Sequence, residues 1–185
     1  VYKRQRHARA SAADLERLKA LDIGAVVDLR RPGERRDQPS RRPDGWSGMV
    51  IEGGIDDGVE APHITFLKTQ DLTPASGRRF MQDVYRRLPF DAAHQDVFAR
   101  YFQALADQDR PVVIHCAAGK DRTGFLAALT HHLLGVSRDD MVEDYLLTNV
   151  AVDLAGRAPS IARQLHKMTG RVAADDAVVA FLGVE

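Results

Sequence analysis

Cys116 and Arg122 are separated by Ala117, Ala118, Gly119, Lys120 and Asp121. A thiolate is a strong nucleophile. A guanidinium six residues on can grip two non-bridging oxygens of a phosphate and hold them through the transition state. A short loop rich in small residues curls easily, so the backbone N–H groups from Ala117 to Arg122 can converge on one centre. A helix opening near Arg122 aims its N-terminus at the same centre. The result is a cradle sized for phosphate, sulfate or vanadate, and its donors also favour the thiolate form of Cys116. Thr123 is placed to hydrogen-bond the sulfur and help it leave in a second step. His115 reads as a support behind the loop that tunes the thiolate, and Gly119 and Gly124 allow the tight turn from strand to helix. The chemistry implied is attack on phosphorus by Cys116, a phosphocysteine, and its hydrolysis by water. A cysteine and an arginine six apart occur often by chance; the residues around this pair make chance a poor explanation.

A leaving alkoxide or phenoxide needs a proton, so a carboxylic acid within reach of the ester oxygen is expected. Three placements are open. Asp121 lies inside the loop. Asp56 and Asp57 sit in "GGIDDG", where flanking glycines would let a loop close over substrate. Asp28 ends an apolar run beside Arg30, a position better suited to scaffolding. Arg30 and Glu34 are four apart and are expected to pair beside the pocket.

"HCAAGKDRTG" (115–124) resembles the signature loop of cysteine-dependent protein tyrosine phosphatases, and more narrowly a bacterial branch whose loops read His-Cys-x-x-Gly-Lys-Asp-Arg-Thr-Gly. "VVDLRRPGE" (26–34) is similar to that branch's Asp-Leu-Arg-x-x-x-Glu element. "LGVSRDDMVEDYLLTN" (134–149) is similar to the segment after its signature helix. The likeness covers most of residues 10–150. The branch includes secreted mycobacterial and listerial phosphatases that act on phosphotyrosine, phosphoserine or phosphothreonine, and phosphoinositides. The resemblance implies a cysteine-phosphatase fold, a phosphorylated protein or phosphoinositide substrate, and Asp121 as a proton donor within the loop. It also implies a role for Lys120 toward further phosphates, as charged loop residues have in lipid phosphatases, and a helical lid drawn from residues 60–108. The branch carries an additional segment ahead of the region aligned with Tyr2, Lys3 and Arg4. This sequence opens at Val1 without it, so a longer natural N-terminus is expected.

Regular elements must hold these residues in place. Ser11 and Asp14 form a capping box ahead of Leu15, Leu18 and Leu21, which predicts a helix over 12–21. "IGAVVDLR" (23–30) reads as a buried strand that delivers Asp28 and Arg30 to a loop, and 31–47 as that loop. A second strand is expected in "GMVIEGG", with "IDDGVEAPH" as the loop behind it. Thr73 and Pro74 open a helix carrying Phe80, Met81, Val84, Tyr85 and Leu88. Val97, Phe98, Tyr101, Phe102 and Leu105 mark another over 91–108. "PVVIH" is a central strand ending at the cysteine. A helix over 122–134 stops at Gly135, Ser137 caps the next, and two more helical segments fill 158–183 around Gly170. Few strands and many helices predict one α/β domain over 1–185, with a small, mostly parallel central sheet flanked by helices.

Composition narrows the field. Lys plus Arg and Asp plus Glu both number 26, which gives no global pull toward nucleic acid. Basic residues cluster at 3–6 and 30–42, a solvated surface or a positive rim for anionic substrates. A single cysteine excludes an internal disulfide and fits a reducing compartment. No apolar run is long enough for stable membrane insertion and no signal-peptide pattern is present, so the expectation is a cytoplasmic protein or a secreted effector. His131 and His132 are adjacent and no metal-ligand spacing appears, so no metal is expected. "GKDR" lacks the features of a nucleotide-binding P-loop, and no cofactor is implied. The alternatives are a catalytically silent phosphate-binding module of the same fold, and a sulfurtransferase or arsenate-reducing relative; the latter usually needs further cysteines.

Overall fold

The computed structural model describes residues 2–4, 7–54 and 60–184. Its four short strands are β1 (Tyr2–Arg4), β2 (Ala25–Asp28), β3 (Met49–Glu52) and β4 (Val112–His115). They form one sheet in the order β1-β4-β2-β3, and every neighbouring pair is parallel. The central strands, β2 and β4, are buried at every position, as β-branched runs covered on both faces should be. Because the strands are parallel, β2 and β4 deliver Asp28 and His115 to the same edge, in register with each other.

The chain divides into two compact units, residues 1–57 with 88–134, and residues 58–87 with 135–185. In the first unit, alternation along the strands sends Ala25, Val27, Ile51, Val112 and Ile114 to one face. There they meet α5 (Ala92–Asp107) through Val97, Phe98, Tyr101 and Ala104, and α6 (Asp121–Leu133) through Leu126 and Ala127. Each large apolar side chain buried here stabilises the fold by about 1.5–3 kcal/mol. Tyr101 is fully buried, and its hydroxyl is satisfied by Thr130 Oγ1 at 2.8 Å. Val26 and Val113 face the other way, with Ile23, Leu21 and Trp46. The short helix α1 (Ala12–Ala20) starts on the capping box foreseen at Ser11 and Asp14.

The second unit is helical. It comprises α3 (Pro62–Thr69), α4 (Pro74–Arg87), α7 (Arg138–Val152), α8 (Leu154–Thr169) and α9 (Asp175–Leu182). Phe66, Phe80 and Phe181 stack at its centre, with ring centroids 4.5 to 5.8 Å apart. Gly77 is required where α4 crosses α9: a Cβ there would lie 3.2 Å from Leu72 Cδ1 and from Phe181 Cβ.

Residues 31–47 and 60–108 differ from the sequence expectation, as do β1 and α3, which that expectation does not contain. Residues 31–47 are not all loop, because α2 (Pro32–Asp37) forms within them. Pro32 presets its first turn, and Glu34 turns back to accept the Arg31 N–H at 2.8 Å. Residues 60–108 are shared between the two units: α3 and α4 belong to the helical one, while α5 is core of the sheet unit. The amphipathic pattern in 91–108 is therefore that of a core helix.

Candidate active site

β4 ends at His115, and the chain turns at Cys116 into a loop that closes on α6 at Asp121. Gly119 makes the turn with φ +75°, a left-handed conformation that a side chain would disfavour. That turn brings the Gly119 N–H onto Cys116 Sγ at 3.2 Å. Cys116 is 1% exposed. Strand, small-residue loop and helix thus bring one backbone donor, the Gly119 N–H, onto the sulfur.

Arg122 is held by residues that follow β2, the strand beside β4. Its Nη1 donates to the Leu29 carbonyl at 2.8 Å and to Glu34 Oε2 at 2.7 Å, and its Nη2 donates to Glu34 Oε1 at 3.0 Å. Burial works against the guanidinium's charge, but the Glu34 carboxylate outweighs it and holds the group above its ordinary value. A guanidinium has five N–H donors. The described contacts use both on Nη1 and one on Nη2, which leaves Nε–H and the second Nη2–H on one edge. That edge is the side-on fork that fits two phosphate oxygens.

α2 is what presents Glu34, so the helix missed in 31–47 carries a site residue. The spacing of Arg30 and Glu34 predicts that these two pair; they meet only through the Glu34 backbone carbonyl, 3.5 Å from Arg30 Nη1, and the carboxylate that Arg30 grips is Asp28. Arg30 Nε and Nη2 donate to Asp28 Oδ1 and Oδ2 at 2.8 and 2.6 Å, and further bonds reach Gln38 O and Ser40 Oγ. Asp28 and Arg30 are 1% and 3% exposed. Burial raises the Asp28 carboxyl, but Arg30 and His115 outweigh it and hold it below the usual carboxylate range. Both its oxygens accept hydrogen bonds from Arg30.

Lys120 is buried, and its Nζ donates to Asp121 Oδ1 at 2.6 Å. The two charged residues inside the loop therefore hold each other. Asp56 and Asp57 lie outside the described residues. Thr123 is fully buried on the first turn of α6, and among the described residues its hydroxyl has no hydrogen-bond partner. The expected bond from Thr123 to the sulfur is not made here.

His115 ends β4 and is fully buried. Its Nδ1 is 3.4 Å from the Cys116 carbonyl oxygen and its Nε2 is 3.6 Å from Asp28 Oδ2. Burial lowers the imidazole's pKa against the opposing pull of Asp28. Two further histidines have no signal in the sequence. His7 stacks on His115 with ring centroids 4.5 Å apart. His94, in the first turn of α5, is lowered chiefly by burial; Asp91 opposes, and the charges of Arg122 and Arg31 lower it further. Among the described residues, no three His, Cys, Asp or Glu side chains gather as a metal site. No described helix is long and apolar enough to cross a membrane.

The sequence profile of the tyrosine phosphatase family matches residues 1–185. The chain is 37% identical over 149 residues to a protein of Cupriavidus necator that bears a provisional tyrosine-protein phosphatase name, covering 80% of this chain and 53% of that protein. It is 35% identical over 167 residues to the triple specificity protein phosphatase PtpB of Mycobacterium tuberculosis, covering 78% of this chain and 59% of that one. It is 30% identical over 143 residues to a tyrosine-protein phosphatase of Nostoc commune, covering 76% and 45%. The chain spans about half the length of these curated relatives. With the profile matched from end to end and these relatives alike across three quarters of the chain or more, this chain belongs to the tyrosine phosphatase family.

Proposed function

We propose that the protein hydrolyses phosphate monoesters through a phosphocysteine on Cys116, with phosphotyrosine in proteins as its first substrate class. Phosphoserine, phosphothreonine and phosphoinositides are further classes, as the name of the mycobacterial relative and the charged residues of the loop both favour. The observation that best supports the reading is the Nε–Nη2 edge of Arg122 left over by its bonds to Glu34 and Leu29, on the helix that follows the loop whose Gly119 N–H meets the Cys116 sulfur.

The phosphoryl group enters with its non-bridging oxygens on the loop N–H groups and on the Arg122 edge. The Cys116 thiolate attacks phosphorus; the S–P bond forms as the P–O ester bond breaks. The departing oxygen takes a proton from a carboxylic acid, for which Asp121 and the pair Asp56 and Asp57 are the candidates. Water then attacks phosphorus, its proton passes to the same carboxylate, and the S–P bond breaks to release phosphate and the thiolate. In that step the Thr123 hydroxyl, buried on the first turn of α6 without a hydrogen-bond partner among the described residues, turns to the leaving sulfur. Arg122 stabilises the charge on the equatorial oxygens in both transition states.

The test is turnover of an aryl phosphate by Cys116→Ser. The reading predicts a folded protein with no turnover and intact vanadate binding; turnover at an undiminished rate would refute it. Rates of the unaltered protein on phosphotyrosine peptides, phosphoserine peptides and phosphoinositides rank the substrate classes. Vanadate-sensitive binding with no turnover of any of them would instead establish the silent phosphate-binding module.

A further inference from the structure

His115 lacks a firm hydrogen bond through either ring nitrogen. Nδ1 faces the Cys116 carbonyl at 3.4 Å and Nε2 faces Asp28 Oδ2 at 3.6 Å, both long for a bond that would fix a ring. Yet His115 is fully buried and its backbone carries the nucleophile's loop. Something else must set its plane. The His7 ring lies flat against it, centroids 4.5 Å apart and planes 30° apart, in the 3-10 turn His7–Arg9. His7 follows β1, whose Arg4 stands opposite His115 in the sheet register. His7 is 8% exposed, and among the described residues its Nε2 is buried without a hydrogen-bond partner. Its contribution is therefore the face of the ring rather than a bond. Asp28, Arg30, Arg42 and His115 surround it electrically; burial and then His115 hold it down at about 4, so the ring is neutral at neutral pH.

We propose that His7 is a positioning residue for the nucleophile: its ring is the wall that holds the His115 imidazole with its Nε2 edge toward Asp28 and so fixes the base of the Cys116 loop. The N-terminal strand is thereby coupled to the reactivity of the sulfur. The inference rests on Cys116 being the nucleophile, but its test reads the thiol directly and does not require turnover.

The experiment compares His7→Leu, which fills the space without an aromatic face, with His7→Phe, which restores the face without a nitrogen. The rate of Cys116 alkylation by iodoacetamide at pH 6 is measured, together with kcat and KM on an aryl phosphate across pH. His7→Leu is expected to slow alkylation and lower kcat by about three- to ten-fold with KM little changed. His7→Phe is expected to return both to within about two-fold of the unaltered protein. Should the leucine variant not fold, His7→Met takes its place. Alkylation of the leucine or methionine variant at the unaltered rate would overturn the proposal, even with a lowered melting temperature, because His7 would then be packing alone. A phenylalanine variant as slow as the leucine one would also overturn it, since the nitrogen and not the face would be what matters. Loss of aryl phosphate turnover in the unaltered protein would strike the proposed function and leave the alkylation comparison intact.

Discussion

Glu34 grips Arg122 with both carboxylate oxygens, at 2.7 and 3.0 Å, across 88 residues of sequence. The pair fixes which edge of the guanidinium faces the loop, and hydrogen bonds to charged groups are worth about 1.5–3 kcal/mol. Glu34→Gln keeps the shape and removes the charge. It is expected to lower kcat/KM on an aryl phosphate by about 10- to 100-fold, chiefly through kcat, because the fork is aimed at the transition state. Steady-state kinetics on the folded variant check this; a change under two-fold would mean that Leu29 alone orients Arg122.

The Asp28–Arg30 pair is a stability element. Arg30 is 3% exposed and bonded to Asp28 through two nitrogens. Asp28→Asn would leave a buried guanidinium without its counter-charge, a change that costs about 3–5 kcal/mol. Urea denaturation should show a midpoint lowered accordingly. An unchanged midpoint would mean that Gln38 and Ser40 suffice to hold Arg30.

Much of this site is legible in the sequence because its chemistry is local. Cys116, Gly119 and Arg122 lie within one strand–loop–helix turn, so their spacing together with the residue types around them can be read without knowing the fold. Strands β2 and β4, the caps at Ser11, Thr73 and Ser137, and the stop at Gly135 follow from short-range patterns. What was not legible is contact at long separation. Glu34 was assigned to Arg30 because the two are four apart; the fold gives Arg30 a nearer carboxylate in Asp28 and sends Glu34 to Arg122 instead. α2 was hidden by the prolines, glycine and charges of 31–47, although Pro32 followed by Glu34 is itself a helix-start signal. His7 could not be read at all, since nothing near it in sequence points to His115.

Stability should fall as the solution is acidified. His7 binds a proton at about 4 in the folded chain, against 6.5 for a free histidine, chiefly because of burial. Between those values the unfolded chain holds more protons, so folding stability drops as pH falls through that window and levels off below it. The His7 contribution is on the order of 3 kcal/mol. His94 and His115 are lowered too, with burial the largest cause in each, and act in the same direction. Asp28, held below its ordinary value, extends the loss to more acid pH. Urea melts at pH 7.5, 6, 5 and 4 check the trend, and His7→Phe should flatten it. Equal stability at pH 7 and 4.5 would contradict the assignment of neutral buried histidines.

Gly119 tests the loop's backbone. Its φ of +75° is disfavoured for a residue with a Cβ, at about 1–2 kcal/mol. Gly119→Ala should lower the melting temperature by a few degrees and, because the Gly119 N–H bonds the sulfur, slow Cys116 alkylation as well. A variant equal to the unaltered protein in both measurements would show that the turn tolerates a side chain.

The phosphocysteine is the centre of the account and can be seen directly. Mixing the protein with an aryl phosphate, quenching in acid within the first turnovers and sequencing the peptide that contains Cys116 by mass spectrometry reads it in one step. The predicted result is a phosphoryl group on the Cys116 sulfur that disappears as substrate is exhausted. Rapid turnover with unmodified Cys116 at every quench time would contradict the account.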